Sequence, residues 1–458
     1  MRNHRRRGLT ALATIASLVS VSALAACGGD SDDDGDTNGK VSITVEGWRP
    51  GDEQGTIDAV NKQAEAFMAA NPDIIVEPVE WEWTAETFAT QLAGDQLPTT
   101  FRVPFTDAKG LAERQQIADV TQYVEALPYA AEFNPSVLEA AKGTDGKIYG
   151  LPTDVYGVGL HYNRALFEQA GLDPDAPPTT WDEVRAAAKA IAEQTGQPGY
   201  VQMSANNTGG WMLTTLTYAL GGRMQSDDGT QSTVDNESTR AGLQMLHDMR
   251  WSDESMGKNT AFEWGTVNEA FAAGKVGMYM SGSDVYNALV TTNQVNPDEY
   301  GLAALPLSDA AESGILGGGS VAAVSAKASA AEQEAAVAWN DFYREKRNYD
   351  ADAAVADAKV LSDSDQPVGT PTLPIFDEAT WQTVQDAIEP YVNVPREQMT
   401  SFTDGVFGQQ LIPEPPSHTQ EVYAILDSVV QKVLTDENAD IDAELADANE
   451  QVQALLSS

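Results

Sequence analysis

Apolar and polar positions alternate along this chain with two periods. Val41, Ile43 and Val45 are apolar at every second position, the spacing of a strand with one face on a core. After the loop Gly47-Trp48-Arg49-Pro50-Gly51, Ile57, Val60, Ala64, Phe67 and Met68 follow helical spacing until Asn71-Pro72 stops it. Ile74 to Trp81 predicts a second strand, Thr84 to Ala93 a helix, and Thr99 to Val103 a third strand. Thr180-Trp181-Asp182-Glu183 has the form of a capping box opening a helix that runs to Gly196. Phe262 to Ala273 predicts a helix closed by Gly274, with the strand Val276 to Met280 behind it. The alternation implies α/β layers, and no repeat at solenoid or propeller periods interrupts it. About 430 residues of such pattern exceed one ordinary core, so two lobes are expected. Gly150-Leu151-Pro152, Gly317-Gly318-Gly319 and the proline-rich Ser362–Pro374 are candidate crossings between them.

The first residues have a different character. Arg2, Arg5, Arg6 and Arg7 precede an uncharged, Ala/Ser/Thr-rich stretch from Leu9 to Ala26, which reads as a secretory signal occupying residues 1–26. It ends in Leu24-Ala25-Ala26-Cys27, and Cys27 is the chain's one cysteine. This resembles the bacterial lipobox, which implies lipidation of Cys27 and anchoring to the outer face of the cytoplasmic membrane by lipid alone. Sec and twin-arginine export both remain open. Residues 27–40 then read as the lipidated cysteine and an acidic, flexible tether. Within the tether, Asp30-x-Asp32-x-Asp34-Gly35 mimics half of a calcium loop, but Val41 stands where the bidentate Glu is required.

Charge and composition narrow the chemistry. With 27 Lys+Arg against 69 Asp+Glu, the formal charge is −42, which repels phosphate backbones and argues against nucleic acid as a partner. A single cysteine excludes a disulfide framework and any multi-thiolate metal site. Four histidines leave little for imidazole chemistry. His161 falls in an apolar strand, His247 in a helix and His418 at a helix start, all structural settings. No G-x-S-x-G, H-E-x-x-H or Walker A motif occurs, so no catalytic residue, metal or cofactor is expected.

Several segments together resemble a known family. Gly146-Lys147-Ile148-Tyr149-Gly150-Leu151-Pro152 runs into Tyr156-Gly157-Val158-Gly159-Leu160-His161-Tyr162-Asn163-Arg164. Thr180-Trp181-Asp182-Glu183, Ala270–Tyr279 and Gly318–Ser325 follow in order. The arrangement is similar to the carbohydrate-binding, maltose-binding-protein-like branch of extracellular solute-binding proteins that feed ABC importers. The resemblance implies a two-lobed, periplasmic-binding-protein-like α/β fold with a hinge and a ligand cleft. It implies lobe 1 at 41–152 plus 316–368 and lobe 2 at 153–315 plus 369–458. It also implies a monomer with a sugar or oligosaccharide as ligand and ABC permease subunits as partners. Two features depart from the family pattern: threonines follow Pro98, and His161 replaces a tyrosine.

Sugar recognition calls for planar hydrogen-bonding groups beside aromatic platforms. Trp181, Trp251, Trp339 and Trp381 sit in helical patterns and read as structural, whereas Trp48, Trp211 and Trp264 lie in loops or near helix starts. Trp81 and Trp83 share a face at the end of the second strand, Trp83 being the weaker candidate for a contact. By resemblance, Asp154 and Tyr156 face the cleft. Arg49 stands beside Trp48, Phe105 lies beyond the third strand, and Gly318 permits close backbone approach. Asp284 opens a helix after Ser281-Gly282-Ser283, where capping by Ser283 or Asp284 competes with ligand contact. The candidate ligand-binding set is therefore Trp48, Arg49, Phe105, Asp154, Tyr156, Trp211, Trp264, Asp284 and Gly318. Two other functions stay open at this point. One is a secreted glycoside hydrolase, because a carboxylate pair among so many acids leaves no sequence signature. The other is a receptor of the same fold for a peptide, polyamine or polyol.

Overall fold

The computed structural model describes residues 39–457. The segment read as a signal, Cys27 and the tether up to residue 38 lie outside the described residues. Among the described residues are eight strands: β1 (Val41–Trp48), β2 (Ile74–Glu80), β3 (Thr100–Pro104), β4 (Gly150–Asn163), β5 (Met278–Gly282), β6 (Tyr300–Ala303), β7 (Ile315–Val324) and β8 (Leu411–Pro413). The order β2-β1-β3-β7-β4-β5 is completed by β6 beside β4 and β8 beside β7. The β1 pairings with β2 and β3 are parallel, and β7 closes the other side of β3 antiparallel.

Strand β4 serves two neighbourhoods. Gly150–Thr153 pairs with Ala323–Ser320 of β7. Further on, Leu160 sits between Met280 of β5 and Ala303 of β6. β7 likewise continues from β3 to β8, pairing Ile315 with Leu411. The antiparallel β4–β7 pair thus carries the sheet from its β1–β3 part to its β5–β6 part. Between Thr153 and Tyr156 their register shifts, and Asp154 takes a left-handed φ of 51°. Such a backbone is costly for a residue with a Cβ and persists only where its surroundings enforce it. The facing glycines are needed for contact: a Cβ on Gly318 would collide with the Tyr156 ring.

Two large cores flank this pair. Ile43, Val45, Phe67, Val76 and Trp339 pack on the β1 side. Leu160, Tyr162, Leu213, Leu243, Met278 and Leu302 belong to the other. His161 is fully enclosed there, its ring nitrogens 2.8 Å from the Tyr300 hydroxyl and 3.1 Å from the Ser281 carbonyl oxygen. Burial lowers its pKa to about 4, so it is a neutral structural residue at physiological pH.

Local signals set several helix ends where expected. The capping box at Thr180 is present in full: Glu183 N donates to Thr180 Oγ1 and Thr180 N to Glu183 Oε2, each at 3.2 Å. Gly196 ends that helix with a left-handed φ of 74°. Thr180→Ala should cost about 1 kcal/mol, read as a lower urea midpoint at unchanged m-value. Elsewhere tertiary contacts moved the ends. The helix expected from Phe262 begins at Trp264, because Phe262 is held in a bridge to Met203 and Glu263 caps the turn. β5 starts at Met278 rather than Val276. The helix Ala330–Asn340 passes through a π-helical turn, Asp341–Glu345, before ending at Lys346–Tyr349. Residues 364–375, which include most of the proline-rich candidate crossing, form no strand.

Candidate functional site

Glu46 and Arg102 lie near the carboxyl ends of the parallel neighbours β1 and β3. In an open α/β sheet, ligands bind outside those ends where the strand order reverses, and the order β2-β1-β3 makes that reversal here. Glu46 is 6% exposed and accepts three hydrogen bonds from Arg102: from the backbone N at 2.6 Å, Nε at 3.0 Å and Nη2 at 2.7 Å. The remaining arm of that guanidinium, Nη1, donates to Asp154 Oδ2 at 2.6 Å. This clamp explains the left-handed Asp154, whose side chain is turned back onto β3 rather than closing a local turn. Burial opposes the charge on Arg102, but the bonds and charge of Glu46, then those of Asp154, raise its pKa well above the arginine range. For Asp154, burial is outweighed by Arg102, with help from Arg344 and Arg347, and its pKa falls.

Arg344 projects from the π-helical turn toward the same place, its Nη2 3.9 Å from Glu46 Oε2. Extra-residue turns of this kind recur at functional sites because they re-aim side chains. Burial and the neighbouring Arg102 both pull the Arg344 guanidinium below the usual range. These residues line a cavity of about 640 Å³ that also takes in Trp48 and Arg49. A second cavity of about 480 Å³ shares Asp154 and Arg347 with it and extends past Tyr156, Asp284 and Trp381. Volumes of this order suit small ligands.

Aromatic rings and carboxyl groups gather around the crossing. Tyr156 packs on Gly318 and meets Trp211 edge-on at 6.3 Å between centroids. The Trp211 indole N–H has no hydrogen-bond partner. The Phe105 ring lies against Gly319, where an added Cβ would come within 2.9 Å of it. Burial pushes the Tyr156 phenol up, and the charges of Glu414 and Asp284 push it further. Glu414 accepts from the Tyr423 hydroxyl at 3.0 Å, and burial raises its pKa, as it does that of Asp284. Guanidinium donors, carboxyl acceptors and aromatic rings thus all occur around the crossing. Such an arrangement suits a molecule that is both a donor and an acceptor at many points.

The sequence-derived candidates divide accordingly. Trp48, Arg49 and Asp154 line the larger cavity, and Asp154, Tyr156 and Asp284 the smaller. Trp211, Gly318 and Phe105 adjoin the crossing through the contacts given above. Trp264 does not join them; it is 42% exposed at a helix start, outside both cavities. Asp284 occupies the N-cap of Val285–Thr291 without making a side-chain cap bond, so the capping expected of it is absent, and Ser283 makes no hydrogen bond through its hydroxyl. Trp83 packs on Phe88 at 4.9 Å between centroids. Sequence reasoning did not single out Glu46, Arg102, Arg344 and Arg347, which line the larger cavity, or Glu414, whose charge acts on Tyr156. Trp381, read as structural, packs on Phe407 and also borders the smaller cavity. For Arg102 a signal existed: a cation inside the apolar run Phe101-Arg102-Val103. Arg344 had none, because the π-turn that aims it breaks the helical period.

Comparison with known proteins identifies the family and the fold. The family described as bacterial extracellular solute-binding protein matches residues 51–350, more than half of the chain. A binding protein of Brucella abortus is 26% identical over 266 residues, 55% of this chain and 60% of that protein, so the match spans under two thirds of that relative's length. The diacetylchitobiose-binding protein of Streptomyces coelicolor is 26% identical over 363 residues, 74% of this chain and 79% of that one. Among solved structures, the cyclic α-maltosyl-1,6-maltose-binding protein of Arthrobacter globiformis superposes with a TM-score of 0.68 at 22% identity, covering 91% of this chain and 99% of that one. The sugar-binding protein MalE of Xanthomonas citri gives 0.67 at 18%, covering 91% and 98%. At such identities the structures establish the fold, the two-lobed α/β architecture of periplasmic binding proteins. On a family match over most of its length, the chain belongs to the bacterial extracellular solute-binding proteins, which work outside the cytoplasm.

Proposed function

We propose that this protein is a lipid-anchored receptor that captures a sugar or oligosaccharide and delivers it, chemically unaltered, to the permease subunits of an ABC importer. Cys27 carries the lipid after removal of residues 1–26, and the acidic segment behind it spaces the folded body from the membrane. Lobe 1 comprises 41–152 with 316–368, and lobe 2 comprises 153–315 with 369–458. The lobes close on the ligand by bending where β4 and β7 cross. The observation that carries this reading is the pairing of Tyr156 and Trp211 beside Asp284, Glu414 and Asp154 at that crossing. Rings stack on the C–H faces of a sugar while carboxyl and guanidinium groups take its hydroxyls. Trp48, Arg49, Phe105 and Gly318 extend the binding surface.

Calorimetry of the mature chain against an oligosaccharide panel, followed by Trp211→Ala with the best binder, tests the proposal. Removing the ring should weaken binding about tenfold, the equivalent of one stacking contact. A panel without a single response, or full affinity in the variant, would count against a sugar held at this crossing.

A further inference from the structure

The larger cavity is electrically unlike the molecule that contains it. Across the chain, 27 cations face 69 carboxylates. Along this wall, Arg49, Arg102, Arg344, Lys346 and Arg347 meet only Glu46, Asp52, Asp154 and Asp357. Two of those carboxylates, Glu46 and Asp154, are engaged by Arg102. Asp52 accepts the backbone N–H of Arg49 at 2.8 Å, which leaves the Arg49 guanidinium uncommitted. Among the described residues, Arg49, Lys346 and Arg347 make no ion pair within 4 Å, and Asp357 is the one lining carboxylate without a partner. Arg344 is held more tightly. Its nearest carboxylate is Glu46 at 3.9 Å, already taken by Arg102, and its Nε is buried without a hydrogen-bond partner.

A buried guanidinium with a free N–H and a shared counter-ion is costly unless an anion completes it. Glu345, the next residue, does not do so. It is fully buried, neither carboxyl oxygen has a hydrogen-bond partner, and burial holds it protonated at neutral pH. Arginine is suited to the task, since its planar fork matches carboxylate or phosphate oxygens in pairs. Trp48 on the same wall offers a platform for the ring that would carry such a group.

We infer that the ligand is an acidic saccharide, whose carboxylate or phosphate sits in the larger cavity on Arg344, Arg347, Arg49 and Lys346 while its neutral portion reaches toward Tyr156 and Trp211. This rests on the sugar-receptor reading and names the class of sugar. A neutral saccharide would leave the Arg344 guanidinium with only its shared counter-ion at 3.9 Å, whereas one anionic group supplies it with its own without disturbing the Glu46–Arg102–Asp154 clamp.

The test is calorimetry on the mature chain with three matched series and a control. The series are neutral disaccharides, the same disaccharides ending in a hexuronate, and the same carrying a phosphate monoester; the control is inorganic phosphate alone. One acidic series should bind at least about tenfold tighter than its neutral parents, and which series does so identifies the anion. Arg347→Gln, at an exposed position where folding is not at risk, should cut that acid-over-neutral ratio about tenfold. Arg344→Lys, which keeps the charge but loses the fork, should cut it as well. Equal affinity for acidic and neutral sugars would overturn the anion seat and leave the sugar receptor standing. Binding of inorganic phosphate with no response to any sugar would uphold the seat and overturn the sugar receptor. Silence across every probe would overturn both.

Discussion

Glu46→Gln should destabilise the protein by about 3 kcal/mol, the low end of the cost of removing one partner from a buried ion pair, because Arg102 and Asp154 stay partly in water. Glutamine matches glutamate in shape, so packing in the β1 core is unchanged and the loss isolates the charge. The Glu46 carboxylate receives three hydrogen bonds from Arg102 and is the closest anion to Arg344. An amide offers one acceptor oxygen and turns its NH₂ toward a guanidinium that is itself only a donor. Arg102 and Arg344 are then left partly desolvated with Asp154 alone between them. Urea unfolding followed by far-UV circular dichroism measures the effect, with a lower midpoint expected at unchanged m-value. The double variant Glu46→Gln/Arg102→Met should recover part of the loss, because it withdraws a charge that the single variant strands. A loss below about 1 kcal/mol in the single variant would mean that water, not Glu46, balances these cations.

Glu345→Gln should stabilise the protein at alkaline pH and have little effect near pH 4.5. Burial pushes this carboxyl up to about 8, with Arg347 and Arg344 opposing the rise and Asn348 contributing a smaller opposition from outside hydrogen-bond geometry. In the unfolded chain it titrates near the ordinary value of about 4.3. Between those two values the native state keeps a proton that the unfolded state has released, so stability falls as pH rises. At about 1.4 kcal/mol per pH unit, the fall reaches on the order of 4 kcal/mol by pH 8 and levels off above it. Asp154 acts in the opposite direction. Its lowered pKa contributes stability above the ordinary carboxylate range, which is lost as pH falls through the depressed value. Urea midpoints of wild type and variant at pH 5, 6.5 and 8 separate the Glu345 contribution, because every other titrating group is common to both chains. The two should differ by only about 1 kcal/mol at pH 5 and diverge progressively above it. Parallel profiles would mean that Glu345 is ionised in the folded state.

Much of the fold was legible because its signals are local. Alternation in Val41-Ser42-Ile43-Thr44-Val45 reports a strand with one buried face whatever lies beyond it, and β1 follows. The Thr180–Glu183 cap needs only four residues to form. The glycines at 317–319 announce close approach through what they lack, and β7 places Gly318 against Tyr156. Where the reading slipped, a distant contact intervened. Phe262 has a helix-compatible neighbourhood but is drawn into a bridge with Met203, which delays the helix by two residues. Trp264 had the right residue type and an exposed helix start, but nothing local reports whether such a start faces a cavity.

By itself, the amino-acid order determined the α/β alternation, the capping box at Thr180 and the aromatic residues near the crossing. Each of these depends on neighbours within a few positions. Only the tertiary structure decided which charges meet. Glu46, Arg102, Asp154 and Arg344 come from four separate segments, and nothing in their local spacing links them. Coulomb interactions and desolvation depend on distance and burial in space. Arg344 has no local signal at all, and only the π-helical turn brings its guanidinium to 3.9 Å from Glu46.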